Sequence, residues 1–409
     1  MPNLSSILDF SDCIAACNLI SPNYNGPLFT WAGVRSNGWV WRRLDRFLFN
    51  SRWSDSFKKI LVDVLEKTPS DHSPLLIACF VEGTCYPKPF KFQNMWTHHA
   101  TFLDTVKKSW DAIDTYGGMR GFVHKLKQLK LDLKLWNRNT FGNLFEDIKV
   151  CEDQVMKAER LFESCPSEEN IENWQHFRAL FAAKHKLERK YWNQKANIKW
   201  LKEGDANTNH FHSYVQTKHR KHSITTINNS RGEEVTSQAD IGDAAITLFS
   251  DLYSVDPDID AAEILKFIPH LVLEEDNNML INLPDKDEVK TAVWKLDQNS
   301  APGPDGFNGK FFRKCWHIIG DDLVRAIQEF FMGIPIPRGV ASSLVVLISK
   351  VDNPSSFGEF RPICLSNFIS KVCTKILVDR LSSILPKLIS PEQIGFMNNK
   401  DIVDHVLIA

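Results

Sequence analysis

Apolar positions along the 409 residues change period several times, and each change marks an element. Leu4, Ile7, Leu8, Ile14 and Ala15 recur mostly at helical spacing, which predicts a helix over 4–19, followed by the Ser-Pro-Asn-Tyr-Asn-Gly-Pro loop of 21–27. A short strand at Phe29–Ala32, a Ser36-Asn37-Gly38 turn and a longer strand over Trp39–Phe49 read as a hairpin. The apolar run Leu75–Phe80 reads as another strand of that sheet. Such a β-layer has unpaired edges and half a core, so marginal stability is expected for this region expressed alone.

From Pro87 the pattern turns aromatic and then helical. Phe90, Phe92, Met95, Trp96, Phe102 and Trp110 lead into Leu126, Leu129, Leu133 and Trp136 at three-four-three spacing. After Phe141-Gly142-Asn143 the phase restarts as Leu144, Ile148, Cys151, Val155, Ala158 and Phe162. Pro166 breaks the run, Ser167 with Glu168 and Glu169 makes an N-cap and first turn, and Trp174, Phe177 and Phe181 open a returning helix. Neither long helix hides its apolar stripe alone, which predicts an antiparallel hairpin whose aromatic residues form core rather than a base-stacking platform.

A chain of this length with 43% hydrophobic residues has room for two or three cored domains. The net charge of −1 supplies no global field toward nucleic acid. Charge is uneven, however: Lys184–His222 holds ten Lys/Arg (184, 186, 189, 190, 195, 199, 202, 218, 220, 221) against acids at 188, 203 and 205. This patch suits phosphate neutralisation, or else it is a solvated helix face. Within it, Lys218, Arg220 and Lys221, interleaved with His219 and His222, are the candidate nucleic-acid contacts and would serve equally as a weak nuclear import signal. Nine cysteines lack a paired Cys-x-x-Cys spacing, and Cys13 with Cys17 has no second pair to complete a zinc set, so reduced thiols of an intracellular protein, nuclear or cytoplasmic, are expected. The longest apolar stretch, Leu344–Ile348, is too short for a bilayer and the N-terminus lacks a basic segment before an apolar run; neither secretion nor membrane insertion is expected.

The sharpest chemical signal is Ser70-Asp71-His72-Ser73 following Arg43-Leu44-Asp45-Arg46: a His beside one Asp and within folding reach of another suits phosphodiester hydrolysis. The tetrapeptide also reads as a plain turn, with Asp71 bonding nearby amides and Pro74 setting φ before the next strand.

Phe29-Thr30-Trp31, Trp41-Arg42-Arg43-Leu44-Asp45-Arg46-Phe47-Leu48 and Ser70-Asp71-His72-Ser73-Pro74-Leu75 resemble the last third of an endonuclease/exonuclease/phosphatase domain of plant LINE-type (non-LTR) retrotransposons. The resemblance implies that His72 contacts the scissile phosphate, Asp45 orients His72, and Asp71 assists at the metal or nucleophile. Trp200-Leu201-Lys202-Glu203-Gly204-Asp205-Ala206-Asn207-Thr208 is similar to the segment those polyproteins carry between endonuclease and polymerase. Ala301-Pro302-Gly303-Pro304-Asp305-Gly306-Phe307, Leu347-Ile348-Ser349-Lys350, Phe360-Arg361-Pro362-Ile363-Cys364-Leu365-Ser366 and Gln393-Ile394-Gly395-Phe396 resemble, in order, the opening segments of a LINE-type reverse transcriptase. That resemblance implies Lys350 and Arg361 on an incoming triphosphate, where Arg offers a forked donor set and Lys a mobile point charge. A surface ion pair of Arg361 with Glu359 or Asp352 is the alternative. Pro302-Gly303-Pro304-Asp305-Gly306 lacks the amides of a phosphate cradle and reads as a rigid turn before a helix from Lys310.

The family works with Mg2+ or Mn2+ on RNA and DNA. Its Gly-Asp-Phe-Asn motif and metal-binding Glu have no counterpart here, nor do its Phe-x-x-Asp-like strand and Tyr-x-Asp-Asp hairpin, and Asp401 and Asp404 read as helix-surface residues; no complete metal site is expected. The expectation is a helix-rich α+β fold. It comprises a partial β-sandwich at the endonuclease tail (1–86), a helical connector with its basic patch (87–222), a linker region (223–282), and a partial reverse-transcriptase fingers/palm (283–409). The expected function is a truncated portion of an RNA-directed DNA polymerase with DNA nicking, incomplete in both activities. The alternatives are a non-catalytic nucleic-acid-binding remnant and an incomplete gene reading of a two-activity enzyme.

Overall fold

The computed structural model describes residues 4–17, 19–22, 24–36, 38–50, 53, 56–57, 59–67, 70–80, 89–114, 117–196, 215, 223–254, 271–351 and 354–389. The chain forms two compact units. One comprises Met1–Lys88, Ala182–Val255 and Val346–Ile363, the other Pro89–Phe181, Asp256–Val345 and Cys364–Ala409. The fold is helix-rich α+β, and among the described residues each sheet has two strands.

The first unit opens with α1 (Leu4–Ala16). β1 (Trp31–Arg35) and β2 (Gly38–Arg42) form the expected antiparallel hairpin, Trp31 opposite Arg42 and Arg35 opposite Gly38, with Gly38 at φ +108° in the turn. The second strand stops at Arg42 instead of reaching Phe49, because the amides of Leu44 and Asp45 leave the ladder for the Thr30 hydroxyl. β4 (Leu75–Phe80) corrects a second expectation. It pairs not with the hairpin but with β3 (Lys59–Val64), Lys59 opposite Phe80 and Val64 opposite Leu75. Val62 and Val64 are buried, so β3 brings an apolar face of its own that claims the β4 edge. The 21–27 loop lies along β3 through Asn25 N–H to the Val62 carbonyl (2.9 Å) and Val64 N–H to the Asn25 carbonyl (2.8 Å). A Cβ at Gly26 would stand 2.2 Å from the Val64 carbonyl oxygen, so this approach requires glycine.

In the second unit the aromatic run is core, as its spacing predicts. Phe92, Phe102, Trp110, Phe122, Phe307, Phe311, Phe312 and Phe368 are all fully buried. α2 (Phe102–Asp111) and α3 (Gly118–Trp136) pack together, and the stripe of Phe122, Leu126, Leu129, Leu133 and Trp136 faces inward. Each indole N–H in this core finds an acceptor: Trp96 on Asn137 Oδ1 (2.8 Å), Trp136 on Thr101 Oγ1 (3.0 Å) and Trp110 on Asp322 Oδ2 (2.8 Å). Gly142, at φ +80°, ends the α3 phase, and Asn143 caps α4 (Leu144–Ser164) through the Phe145 amide. Ser167 Oγ accepts from Asn170 N–H at the start of α5 (Glu168–Ala196), and Phe162 stacks on Trp174 at 5.8 Å across the intervening turn. Beyond that stack, Phe177 and Phe181 are half-buried.

β5 (Ile227–Asn228), β6 (Glu234–Val235) and α6 (Gln238–Ser254) return to the first unit, where Ile227 and Ile241 cluster with Phe357 and Phe360. α7 (Glu274–Ile281), α8 (Lys286–Lys295), α9 (Gly309–Lys314), α10 (Trp316–Phe331) and α11 (Arg338–Ala341) follow in the second. They are succeeded by β7 (Ser343–Ser349), its partner β8 (Phe360–Ser366) and α12 (Phe368–Leu388). From α12, Arg380 forks onto Glu288 (2.8 and 2.7 Å) and caps the Leu280 and Asn282 carbonyls, tying α12 to α8 and the end of α7.

The Pro302–Phe307 segment is the rigid turn its prolines predict. Gly306 sits at φ +84° with its carbonyl accepting Phe92 N–H, and a Cβ at Gly303 would stand 2.5 Å from the Asn367 amide nitrogen. Asp305 N–H bonds Asn367 Oδ1 (3.0 Å), and the Asp305 carboxylate accepts Phe307 N–H (3.1 Å). Burial pushes Asp305 up to about 6, against the Phe307 amide and the more distant Lys130 and Lys371 charges. The folded state therefore holds this proton up to about pH 6 while the unfolded chain releases it near 4. Stability attributable to Asp305 falls as pH rises across that interval and is level above it. Asp305→Asn keeps an acceptor for Phe307 and removes this penalty. In urea unfolding its advantage over wild type should grow from nothing near pH 4 to on the order of 2 kcal/mol above pH 6; parallel pH profiles would contradict this.

Candidate functional site

Thr30 is fully buried at the mouth of β1, and three chain segments meet on it. Its carbonyl accepts Ser73 N–H (2.7 Å), and next to it Ala32 N–H donates to the Asp71 carbonyl (3.1 Å), so residues 71–73 run antiparallel to 30–32 with Trp31 bridged to His72. Its hydroxyl accepts both Leu44 N–H (3.0 Å) and Asp45 N–H (2.9 Å). The consequence is that Asp45 Oδ2 lies 2.8 Å from His72 Nδ1. The pair stays open to solvent, with side chains 36% and 44% exposed.

Hydrogen bonding from His72 holds the Asp45 carboxyl below its ordinary value, helped by Thr30 and opposed by partial desolvation. An ionised Asp45 has only acceptors, so Nδ1 carries the proton and Nε2 is left outward. Asp71 is engaged by a different partner: its Oδ2 accepts the Trp31 indole N–H at 2.8 Å. Of the three residues expected here, the fold thus joins Asp45 with His72 and gives Asp71 to Trp31. Arg43 stacks over Tyr24 with its guanidinium carbon 3.1 Å from the ring centre. Burial, with the like charge of Arg46, lowers Arg43 to about 10. Among the described residues no three His, Cys, Asp or Glu side chains gather to hold a metal ion. Asp45 Oδ2 already meets His72 and Asp71 Oδ2 already meets Trp31, which leaves one free oxygen on each carboxylate and no third ligand gathered beside them among the described residues.

Lys350 and Arg361 lie on the β7–β8 hairpin. Lys350 N–H bonds the Glu359 carbonyl (2.7 Å) near the tip, and the Ser343 and Ser366 hydroxyls meet at 3.1 Å at the base. That register sets Ile348 opposite Arg361 and places Lys350 diagonal to Arg361 on the outer face. The inner face carries Leu347 and Phe360, which pack on the Ile227 cluster. Lys350 Nζ also donates to the Gly358 carbonyl (2.8 Å). Arg361 is exposed and makes no ion pair among the described residues. Glu359 is not its partner, since its carboxylate accepts the Ser355 and Ser356 amides. Lys218, Arg220, Lys221, Asp401 and Asp404 lie outside the described residues, as do Trp200–Thr208 and Gln393–Phe396. Sequence reasoning gave Thr30 no role, because a lone threonine carries no signal until residues 43 positions away are known to dock on it.

No protein-family model matches the chain. It is 23% identical over 396 residues to the "Transposon TX1 uncharacterized 149 kDa protein" of Xenopus laevis, a match covering 93% of this chain and 29% of that protein. It is 32% identical over 121 residues to the "Retrovirus-related Pol polyprotein from type-1 retrotransposable element R1" of Bradysia coprophila, covering 29% of this chain and 12% of that one. Its homologues are non-LTR retrotransposon proteins. The chain spans less than a third of the length of these retrotransposon relatives. Among the described residues no helix is long and apolar enough to cross a membrane.

Removing the shared acceptor tests how the pair is built. Thr30→Val leaves two amides competing for no buried oxygen and should cost about 1–3 kcal/mol in urea unfolding, while Thr30→Ser stays close to wild type. A Val variant as stable as the Ser variant would show that the hydroxyl holds nothing.

Proposed function

We propose that the chain is a portion of a LINE-type retroelement polyprotein whose first unit engages the phosphodiester backbone of DNA through His72, oriented by Asp45. The observation that carries this is the 2.8 Å bond between His72 Nδ1 and Asp45 Oδ2, built by segments 27 residues apart and open to solvent. Nε2 of such an imidazole donates to a non-bridging phosphate oxygen when protonated, while the Asp45 carboxylate holds the ring through Nδ1. The retrotransposon homologues support this reading, as do the motifs that resemble the plant branch of the family. Residues 1–86 are read as the endonuclease-like part, 87–222 as connector, 223–282 as linker and 283–409 as the opening of a reverse-transcriptase region. Lys350 and Arg361 would there meet a nucleotide triphosphate. Divalent metal belongs to the family's chemistry, and the described carboxylates leave none of it to this pair.

The polypeptide of 409 residues is accordingly expected to bind phosphodiesters without cleaving them. Titration with a thymidine dinucleotide should shift the His72 ring resonances, an effect lost in Asp45→Asn; no shift in the wild-type protein would overturn the reading. Supercoiled plasmid should stay intact with Mg2+ or Mn2+. Nicking by wild type but not by His72→Ala would keep the phosphodiester assignment and overturn the proposed lack of cleavage.

A further inference from the structure

Helix α3 buries one side completely and leaves the other with a single sign of charge. At 3.6 residues per turn, Arg120, Lys127, Lys130, Lys134 and Arg138 (just past the helix end) fall within an arc of about 80°. Arg120, Lys127, Lys134 and Arg138 are exposed and Lys130 is half-buried. The row runs for about 27 Å along the axis. His124, Leu131, Gln128 and Leu135, all exposed, continue the same face, and no Asp or Glu lies on it.

The acids nearest this helix take other hydrogen-bond donors, although the Asp305 carboxyl still acts on Lys130. Asp132 takes Ser109 and Gln128, and Asp322 takes Lys125 and Trp110. Glu329 caps the helix start through Met119 N–H (2.7 Å), and Asp305 is buried under the Phe307 amide. None of the five cations forms an ion pair among the described residues. Lys130 is held below its ordinary value by burial first and by the Lys134 charge second, with the Asp305 carboxyl acting in the opposite sense. A surface helix normally mixes signs, since like charges three or four residues apart repel. A row of five cations with no acid is maintained against that repulsion.

We infer that the outer face of α3 is a docking surface for a nucleic-acid phosphate backbone, distinct from Lys350 and Arg361 and from the Lys218–Lys221 cluster. The inference rests on the reading that the chain handles nucleic acid. Phosphate is the occupant because the cations at 120, 127, 130, 134 and 138 follow one line along the helix, and successive phosphates of a nucleic-acid backbone present the matching charge. Leu131 and Leu135, 52% and 57% exposed, flank the line where sugar edges would pass.

The test uses the full chain and fluorescence anisotropy with a short labelled RNA, the matching single-stranded DNA and the duplex, each across a salt series. Lys127→Gln/Lys134→Gln/Arg138→Gln should weaken binding to at least one of them about tenfold or more at low salt and reduce the log–log salt slope by about 2–3, one unit per lost contact. A charge-matched control on other exposed positions, Lys107→Gln/Lys149→Gln/Lys157→Gln, should leave both quantities near wild type. Equal losses in the two triples would overturn the inference, because net charge alone would then set affinity. Loss only in Lys218→Ala/Arg220→Ala/Lys221→Ala would also overturn it while leaving the nucleic-acid reading standing. If wild type binds none of the three at low salt, the underlying reading itself fails. Circular dichroism melts matching wild type establish that the triples are folded, and an acidic peptide binding in place of nucleic acid would assign the face to a protein.

Discussion

The oxygen atoms of one buried residue decide whether the first unit has a site. Thr30 carries no charge, yet its hydroxyl ends the β2 ladder, turns the chain and fixes Asp45, while its carbonyl docks Ser73. Leaving the partly buried Leu44 and Asp45 amides without this acceptor costs about 1–3 kcal/mol together. Two amides satisfied on one side-chain oxygen therefore give a more defined geometry than a flexible loop between strands would. The Asp45–His72 bond is the product of that constraint. Its openness to solvent leaves the imidazole within reach of a ligand.

The second unit is organised by a different rule. Its core is aromatic, and aromatic cores are dense but directional, because each indole brings an N–H that must be answered. Asn137, Thr101 and Asp322 answer three of them, which places polar side chains inside the packing at fixed points. The same satisfaction of buried groups shapes the Pro302–Phe307 turn. There Asn367 and two glycines without room for a Cβ hold a carboxyl where water does not reach it well. Outside this packing, Arg120, Lys127, Lys134 and Arg138 leave α3 with an exposed cationic face.

What could be read from the chain alone follows from how local each signal is. The α3 stripe, the Gly142 break, the Ser167 cap and the β1–β2 hairpin are encoded within a few residues and stand where periodicity places them. β3 carries a weak local signal, alternation at Ile60, Val62 and Val64 alone, and its choice of β4 as partner is a long-range competition with no local mark. The Asp45–His72 pairing is legible as chemistry, but the engagement of Asp71 by Trp31 is not, since it depends on a tertiary pairing of segments 40 residues apart. The cationic row on α3 was available in the sequence throughout. Reading that helix for its apolar positions shows the buried face and leaves the sign of the opposite face uncounted.

Presentation of His72 to a phosphate turns on the protonation geometry of a single imidazole. Long-range nitrogen–proton NMR correlation on the labelled full chain reports it directly for the neutral ring. The neutral His72 ring should be the Nδ1–H tautomer, with its Nδ1 proton moved downfield, and Asp45→Asn should abolish that preference. An Nε2–H tautomer in the wild-type protein, or an Asn variant indistinguishable from it, would contradict the claim that Asp45 presents His72 to a phosphate.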